Sequence, residues 1–325
     1  MHAIVVTRTG GPEVLEYQET PQPQPGPGQL LVKIAAAGVN FIDTYHRTGA
    51  YQRPLPFTPG GEFAGTVESV GPDVDAFKAG DRVASVDSSS GSYAEFTLVD
   101  AARVVRVPEG IELETAAAAL LQGMTAHYLT ASTWPIQKGD VALVHAAAGG
   151  MGLLLTQSVK ARGGVVIGTV STEQKEALAR GAGADEVLRY TEIDDLAAAV
   201  RALTVNGRGV DVVYDGVGKT TFDASLASLR PRGLLALYGA ASGPVPPFEI
   251  QRLQAGGSLF LTRPTLGHHI ATPEDFAWRT GEVLSAVASG TLTITVGARY
   301  PLAETADAHT ALESRATTGK VLLIP

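Results

Sequence analysis

Val141-Ala142-Leu143-Val144-His145-Ala146-Ala147-Ala148-Gly149-Gly150-Met151-Gly152 runs from a short apolar segment through a glycine turn into a helical pattern that reaches Ala161. Without side chains at Gly149, Gly150 and Gly152, the backbone can approach a pyrophosphate whose charge sits against the helix N-terminus. Gly152 also lets that helix pack closely on the preceding strand. The spacing is an A-x-x-G-x-x-G variant of the dinucleotide fingerprint, and Met151 lies inside it. A lone turn of this kind is weak support, because glycines also serve purely structural turns. Here it opens a longer alternation. Val165–Val170 is a predicted strand and Thr172–Arg180 a helix, and Asp185–Leu188, Asp194–Leu203, Val210–Asp215, Thr220–Leu229 and Leu234–Tyr238 keep the beat. Apolar strands alternating with amphipathic helices imply an α/β fold, a doubly wound parallel sheet covered on both faces.

Outward from this segment the pattern changes. Up to about residue 108 it consists of short β-rich runs cut by Gly and Pro: 30–37, 64–70, 82–86, 93–99 and 103–107. These predict a mostly antiparallel β domain. Pro21 to Gly28 holds too many prolines for helix or central strand and reads as an extended surface connector. The alanine-rich 112–121 predicts a helix, with a second helical pattern after Gly123 as far as Ser132. The alternation fades near residue 262. A helix at 273–289, a strand at 292–298, a helix at 303–315 and a strand at 320–324 follow and are expected to rejoin the first domain. The expected division is therefore 1–122 with 263–325 as one domain and 123–262 as the dinucleotide domain.

The chain's 325 residues allow two domains with real cores. With 45% hydrophobic and 18% charged residues it is globular rather than disordered. A net charge of −8 and 6% aromatic residues argue against a nucleic-acid binder, which needs a basic stripe with interleaved aromatics. Cys is 0, which excludes disulfides, thiolate nucleophiles, iron–sulfur clusters and cysteine-ligated zinc. The N-terminus shows a short strand pattern and no basic n-region with a long apolar stretch, so export is not expected. The stretch 140–160 carries His145, Thr156, Gln157 and three glycines, a poor membrane span. A soluble cytoplasmic protein is expected.

The second strand of the alternation ends in Gly168-Thr169-Val170-Ser171-Thr172-Glu173-Gln174-Lys175. An NAD site usually offers Asp or Glu to the ribose 2′-hydroxyl at this point. Here hydroxyls come first and a lysine follows one helical turn on, which suits a 2′-phosphate and favours NADPH. Glu173 does not fit that reading, and Lys175 with Glu173 could equally form a solvated helix face.

Several further segments carry a resemblance. Gly10-Gly11-Pro12-Glu13-Val14-Leu15, Asn40-Phe41-Ile42-Asp43-Thr44-Tyr45, Ala79-Gly80-Asp81-Arg82-Val83, Gly91-Ser92-Tyr93-Ala94-Glu95 and the 146–152 turn together resemble the quinone oxidoreductase/zeta-crystallin family of medium-chain dehydrogenases/reductases. The ending Glu313-Ser314-Arg315-Ala316-Thr317 is similar to that of bacterial NADPH:quinone reductases. The resemblance covers essentially the whole chain. It implies a GroES-like β domain split around a Rossmann domain, an active site in the cleft between them, and a homodimer. It also implies cofactor contacts at Phe41, Thr125, Gly150, Met151, Gly152, Ser171, Lys175, Tyr190, Arg263 and Arg315 and at the loop around Gly239. Without it, Tyr190 reads as a half-buried ring at a strand end, and Arg263 and Arg315 as partners in surface ion pairs.

Zinc alcohol dehydrogenases of the same superfamily place a cysteine where Asn40 stands and a histidine where Gly61 stands, within Gly60-Gly61-Glu62. Both ligands are missing, so the resemblance implies a zinc-free enzyme. The adjacent His268-His269 pair reads as an exposed loop rather than as metal ligands. An alcohol needs a Lewis acid to stabilise its alkoxide, whereas a quinone takes up reducing equivalents readily, so positioning against the nicotinamide can suffice. Asn40 is expected to position substrate or nicotinamide, Tyr45 to hydrogen-bond an oxyanion, and Asp43 to orient that network. Asn40 and Asp43 are equally the residue types of a helix cap. Gln122 stands where several bacterial relatives carry lysine. Two other functions fit the same residues: an NADPH-dependent reductase of activated alkenes such as 2-enals or enoyl thioesters, and a non-catalytic binder of NADPH or RNA.

Overall fold

Short strands closed by glycine and proline turns build the first part of the computed structural model, which describes residues 1–325. β1 (His2–Val5) pairs antiparallel with β2 (Glu16–Glu19). β3 (Gln29–Val39) is the spine of the main sheet, and α1 (Phe41–Thr48) leaves its end through Asn40. β4 (Phe63–Val70), β5 (Arg82–Ser85), β6 (Phe96–Asp100) and β7 (Val105–Arg106) add to it with antiparallel pairing. α2 (Leu113–Tyr128) follows as one helix. The break expected at Gly123 is absent: the run Ala116-Ala117-Ala118-Ala119-Leu120-Leu121 before it, all of high helix propensity, outweighs the cost of a single glycine of about 1 kcal/mol.

Strand and helix then alternate. In chain order they are β8 (Val141–Val144), α3 (Gly150–Ala161), β9 (Val165–Val170), α4 (Glu173–Gly181), β10 (Glu186–Arg189) and α5 (Leu196–Ala202). β11 (Val210–Asp215), α6 (Phe222–Ser228), β12 (Leu229–Leu237), α7 (Gln251–Ala255), β13 (Phe260–Thr262) and α8 (Leu266–His269) complete the series. The six strands are parallel and lie in the order β10-β9-β8-β11-β12-β13. This is the 3-2-1-4-5-6 order of the Rossmann fold, with its reversal between β8 and β11. Every residue of β11 is buried, as a strand covered by helices on both faces requires. Leu143, Ile167, Val213 and Leu235 from four of the strands share one core with Phe222 and Leu226 of α6.

The chain ends in α9 (Pro273–Ala288), β14 (Val296–Pro301), α10 (Thr305–Glu313) and β15 (Lys320–Ile324). β15 pairs parallel with β14 and antiparallel with β3, with Val321 opposite Val39. The last strand of the sequence therefore lies beside the spine of the first sheet. Its Val321 and Leu323 join Leu30, Val32, Phe63 and Tyr93 in that core. Residues 1–121 with 273–325 form one compact unit and residues 122–272 the other. The return to the first unit falls at Pro273 rather than at 263. β13 and α8 stay with the parallel sheet, where the His269 ring stacks on Tyr128 at 4.1 Å. His269 is thus held in a helix against an aromatic ring and is not part of an exposed loop. No helix is long and apolar enough to cross a membrane.

Candidate functional site

In the second unit, the residues expected to hold a dinucleotide gather along the C-terminal edge of the parallel sheet. Beyond β8 the chain turns through Ala146, at φ 50°, to Gly149, whose extended backbone caps α3. The first N–H groups of a helix have no intrahelical acceptor and carry the positive end of its dipole, which is how Gly150, Met151 and Gly152 can receive a phosphate. A Cβ on Gly152 would lie 2.3 Å from the Ala146 carbonyl oxygen and 2.6 Å from Ala147 Cα, so α3 packs on the turn more closely than any side chain allows. A Cβ on Gly150 would lie 2.3 Å from Gln122 Oε1, so the Gln122 amide covers the turn. Thr125 follows on the same helix and is buried.

Ser171 follows β9, and Thr172 caps α4 by accepting the Lys175 N–H at 3.3 Å. Arg189 of β10 pairs with Val170 of β9, which brings Tyr190 alongside Ser171, and the neighbouring Thr191 hydroxyl donates to the Ser171 carbonyl at 3.2 Å. The Tyr190 ring is 40% exposed. Gly239 follows β12 so close to the end of β11 that a Cβ on it would lie 2.4 Å from the Gly216 carbonyl oxygen. Arg263 follows β13 and donates to the Leu237 carbonyl at 2.9 Å, a backbone contact in place of the alternative ion pair. Ser171, Lys175, Tyr190, Gly239, Arg263 and the glycine turn therefore lie along the C-terminal edge of one sheet, with the glycine turn beside the β8–β11 reversal, the usual place for a dinucleotide.

Beneath that edge lies a polar layer of which the sequence carries little sign. Asp215, fully buried at the end of β11, accepts the Val217 and Gly218 N–H groups on Oδ1 and the Thr221 and Ser225 hydroxyls on Oδ2, all at 2.7–3.0 Å. Ser225 spends its proton on Asp215, so its oxygen accepts from His145 Nε2 at 3.0 Å, and His145 Nδ1 accepts from Thr169 at 3.0 Å. Burial lowers the His145 pKa, and the Asp215 charge only partly opposes it. A neutral imidazole thus ties the root of the glycine turn to β9 and, through Ser225 of α6, to Asp215.

In the first unit, Asn40, Asp43 and Tyr45 lie on or before the first turns of α1. Asn40 is the N-cap, and its N–H donates to Asp43 Oδ2 at 2.9 Å. Both are buried, and their polar atoms are turned inward. Asn40 Nδ2 donates to Glu62 Oε2 at 2.9 Å and to the Gly38 carbonyl at 3.3 Å, while its Oδ1 accepts from Lys320 Nζ at 2.7 Å. Asp43 Oδ2 also accepts the Tyr93 hydroxyl at 2.8 Å. Tyr93 in turn lies 3.2 Å from His309 Nε2, and Arg47 Nη1 lies 3.0 Å from His309 Nδ1. Arg47 can only donate, so His309 carries its proton on Nε2 and gives it to Tyr93. Burial and the Arg47 charge push the His309 pKa down to about 3, and burial raises that of Asp43 to about 6.

Asn40 and Asp43 thus act as the helix cap that their residue types also suggest. The half-buried Tyr45 ring meets Tyr51 edge-on at 5.3 Å, and Ile42, Tyr51 and Leu55 are exposed nearby in sequence. Phe41 is half-buried at the start of the same helix. Arg315 follows α10 at φ 60°, on a different element of this unit. No three His, Asp or Glu side chains converge as metal ligands. Glu62 and Tyr93 fall inside motifs already quoted, whereas Lys320 and His309 carry no signal in the sequence.

An antiparallel β unit completed by the chain's last strand, with a Rossmann unit inserted in its sequence, is the build of the alcohol dehydrogenase class. Residues 26–109 match the alcohol dehydrogenase GroES-like domain and residues 150–278 the zinc-binding dehydrogenase family. A quinone oxidoreductase of Pseudomonas aeruginosa is 45% identical over 317 residues, 97% of each chain. A 2-haloacrylate reductase of Burkholderia is 41% identical over 331 residues, 99% of this chain and 98% of the other. A mycobacterial protein solved with NADPH superposes over the whole of both chains with a TM-score of 0.96 and 55% identity. The chain belongs to the quinone oxidoreductase family of medium-chain dehydrogenases/reductases and is an oxidoreductase.

Proposed function

We propose that this protein uses NADPH to reduce quinones without zinc. The observation that carries the cofactor assignment is the shared sheet edge. Its glycine turn offers free helix N–H groups to a pyrophosphate, and Ser171 and Lys175 stand at the start of α4, where a 2′-phosphate would be met. NADPH supplies a hydride when bound. The mycobacterial relative solved with that cofactor supports the same reading.

Zinc independence rests on the donor set. Gly61 has no side chain, the Asn40 amide is engaged on both ends, and Glu62 holds the Lys320 ammonium at 2.6 Å. A second cation there would meet that charge directly. With no Lewis acid, the acceptor must be one whose reduced oxygen is weakly basic, which a quinone is. Tyr45 donates to that oxygen, Asn40 and Asp43 hold the helix that presents Tyr45, and Phe41 and Arg315 complete the cofactor contacts from this unit. β13 is an edge strand with Phe260 58% exposed, and it supports assembly as a homodimer, which sedimentation would check.

The relative named as a 2-haloacrylate reductase favours a second reading, reduction of activated alkenes. Hydride addition to a conjugated carbon leaves an enolate that must be protonated on carbon, a demand quinones do not make. NADPH oxidation measured with 1,4-quinones, 2-enals, enoyl thioesters and 2-haloacrylates decides between them. Turnover of quinones is expected, with NADPH preferred over NADH. Faster turnover of the alkenes would replace the quinone reading. Inertia towards all of them would indicate a binder.

A further inference from the structure

Lys320 begins β15 and is 2% exposed, with Glu62 at 0% and Asn40 at 5%. Its ammonium lies 2.7 Å from Asn40 Oδ1 and 2.6 Å from Glu62 Oε2. The other Glu62 oxygen accepts the Leu121 N–H at 2.7 Å. The approach is close enough that a Cβ on Gly38 would lie 2.2 Å from Glu62 Oε2. One buried cation thus joins the last strand, the segment before β4, the N-cap of α1 and the middle of α2. Stability does not account for such a pair. Desolvating two charges costs several kcal/mol per ion, and well-packed apolar side chains in their place are often neutral or better.

We propose that Lys320 is a positioning residue for the reduction: held between Asn40 and Glu62, it fixes the Asn40 amide and with it the first turn of α1, which presents Phe41 and Tyr45. The role in turnover rests on the assignment of α1 to the acceptor site. Lysine has donors and no acceptor, so Oδ1 of Asn40 must face it, and Nδ2 is left for Glu62. Turning that amide over would set its NH2 group against the ammonium. Asn40 passes its position on through its N–H, which Asp43 accepts.

Asp43 reports on the arrangement. It faces Tyr93 from the loop before β6, with His309 of α10 and then Arg47 of its own helix behind that hydroxyl, and Lys320 of β15 and Glu62 from before β4 supply the nearby charges. Burial raises its pKa. The Asn40 N–H, the Tyr93 hydroxyl and the Lys320 charge lower it, and Glu62 raises it. Loss of the ammonium therefore moves the Asp43 titration upward.

Two variants test this. Lys320→Met removes the cation and leaves Glu62 buried without its counter-ion. Lys320→Met with Glu62→Gln removes both charges and can still satisfy its polar atoms: the Leu121 N–H donates to the oxygen of the introduced amide, whose NH2 group donates to an Asn40 amide now free to turn. Measured are melting, NADPH affinity by fluorescence titration, kcat and KM with 1,4-benzoquinone, hydrogen exchange of 41–48, and carboxyl NMR of Asp43. The expected result is a double variant that melts with the wild type and binds NADPH equally well. Its kcat should fall about 10- to 100-fold, the scale of a small misplacement of a reacting group, and exchange in α1 should be faster. In Lys320→Met the Asp43 titration should move up. A double variant with wild-type kcat, KM and α1 exchange overturns the proposal, as does one that does not fold, which would make the pair structural. Wild-type protein inert towards quinones would sink the quinone reading instead, and the Asp43 titration and α1 exchange would still decide the role of Lys320.

Discussion

Each unit buries a carboxylate beneath its candidate site residues, and the two solve the problem differently. Asp215 in the Rossmann unit is held by two hydroxyls and two backbone N–H groups from residues within ten positions of it. Glu62 in the first unit is held by an ammonium, an amide and one backbone N–H, from residues 22 to 258 positions away. Hydroxyls can reverse and become acceptors, whereas an ammonium, an amide NH2 group and an N–H cannot. The first network tolerates rearrangement and the second fixes a geometry.

The sharpest way to break this contrast is to turn each carboxylate into its amide. Glu62→Gln places an NH2 group among three donors, so it should cost about 3–5 kcal/mol, the scale of a broken buried pair. Asp215→Asn should cost about 1–2 kcal/mol, because Thr221 and Ser225 can turn to accept. Urea unfolding of the two variants checks the order, and equal losses would erase the distinction.

The ligand side should separate in the same way. Lys175→Ala is expected to weaken NADPH about 10- to 100-fold, as loss of a charge-assisted contact does, with NADH nearly unchanged and the KM for the acceptor unmoved. Fluorescence titration with both cofactors measures it. An equal loss for NADH would mean that Lys175 supports the fold.

The acid limb tests the first unit's network. Burial keeps His309 neutral down to about pH 3. The unfolded chain binds that proton near its ordinary pKa of about 6.5, so this group withdraws stability as pH falls below that value. His309→Gln can accept from Arg47 and donate to Tyr93 without titrating. It should lose about 1 kcal/mol less than the wild type between about pH 6.5 and 5.5. Asp43 works in the opposite sense, since its raised pKa lets the folded state hold a proton between about pH 6 and 4, and it is common to both proteins. Parallel pH dependence in the two would show that His309 is not held neutral.

The smallest expected effect is that of Tyr45→Phe. Removing one hydrogen bond to a stabilised oxyanion should slow quinone turnover about three- to fivefold and leave NADPH affinity alone. If the acceptor is an alkene and Tyr45 the placed acid, the loss grows to about 10²- to 10⁴-fold, and the second reading gains.

What the sequence makes legible follows the same division. The Rossmann unit can be read almost strand by strand, since its hydrophobic beat and its glycine turn are local signals and its candidate site residues follow strand ends. The boundary expected at 263 falls at Pro273 because β13 is three residues long and the helix after it is short, too little of either for a periodic signal. In the first unit Asn40 and Asp43 are legible as a pair, and as a cap, from their spacing. That their side chains point inward depends on Lys320 and Glu62, and no window of sequence contains both. His309 and Arg47 meet across 262 positions for the same reason.

The place of β15 beside β3 also sets an order of assembly. On a ribosome, residues 122–272 emerge as one uninterrupted stretch and can fold as soon as they are out. The first sheet must wait with β3 exposed on that side until the last strand has been translated. During that interval the chain carries an open strand edge and an unmatched Glu62, the state in which a nascent protein most needs a chaperone.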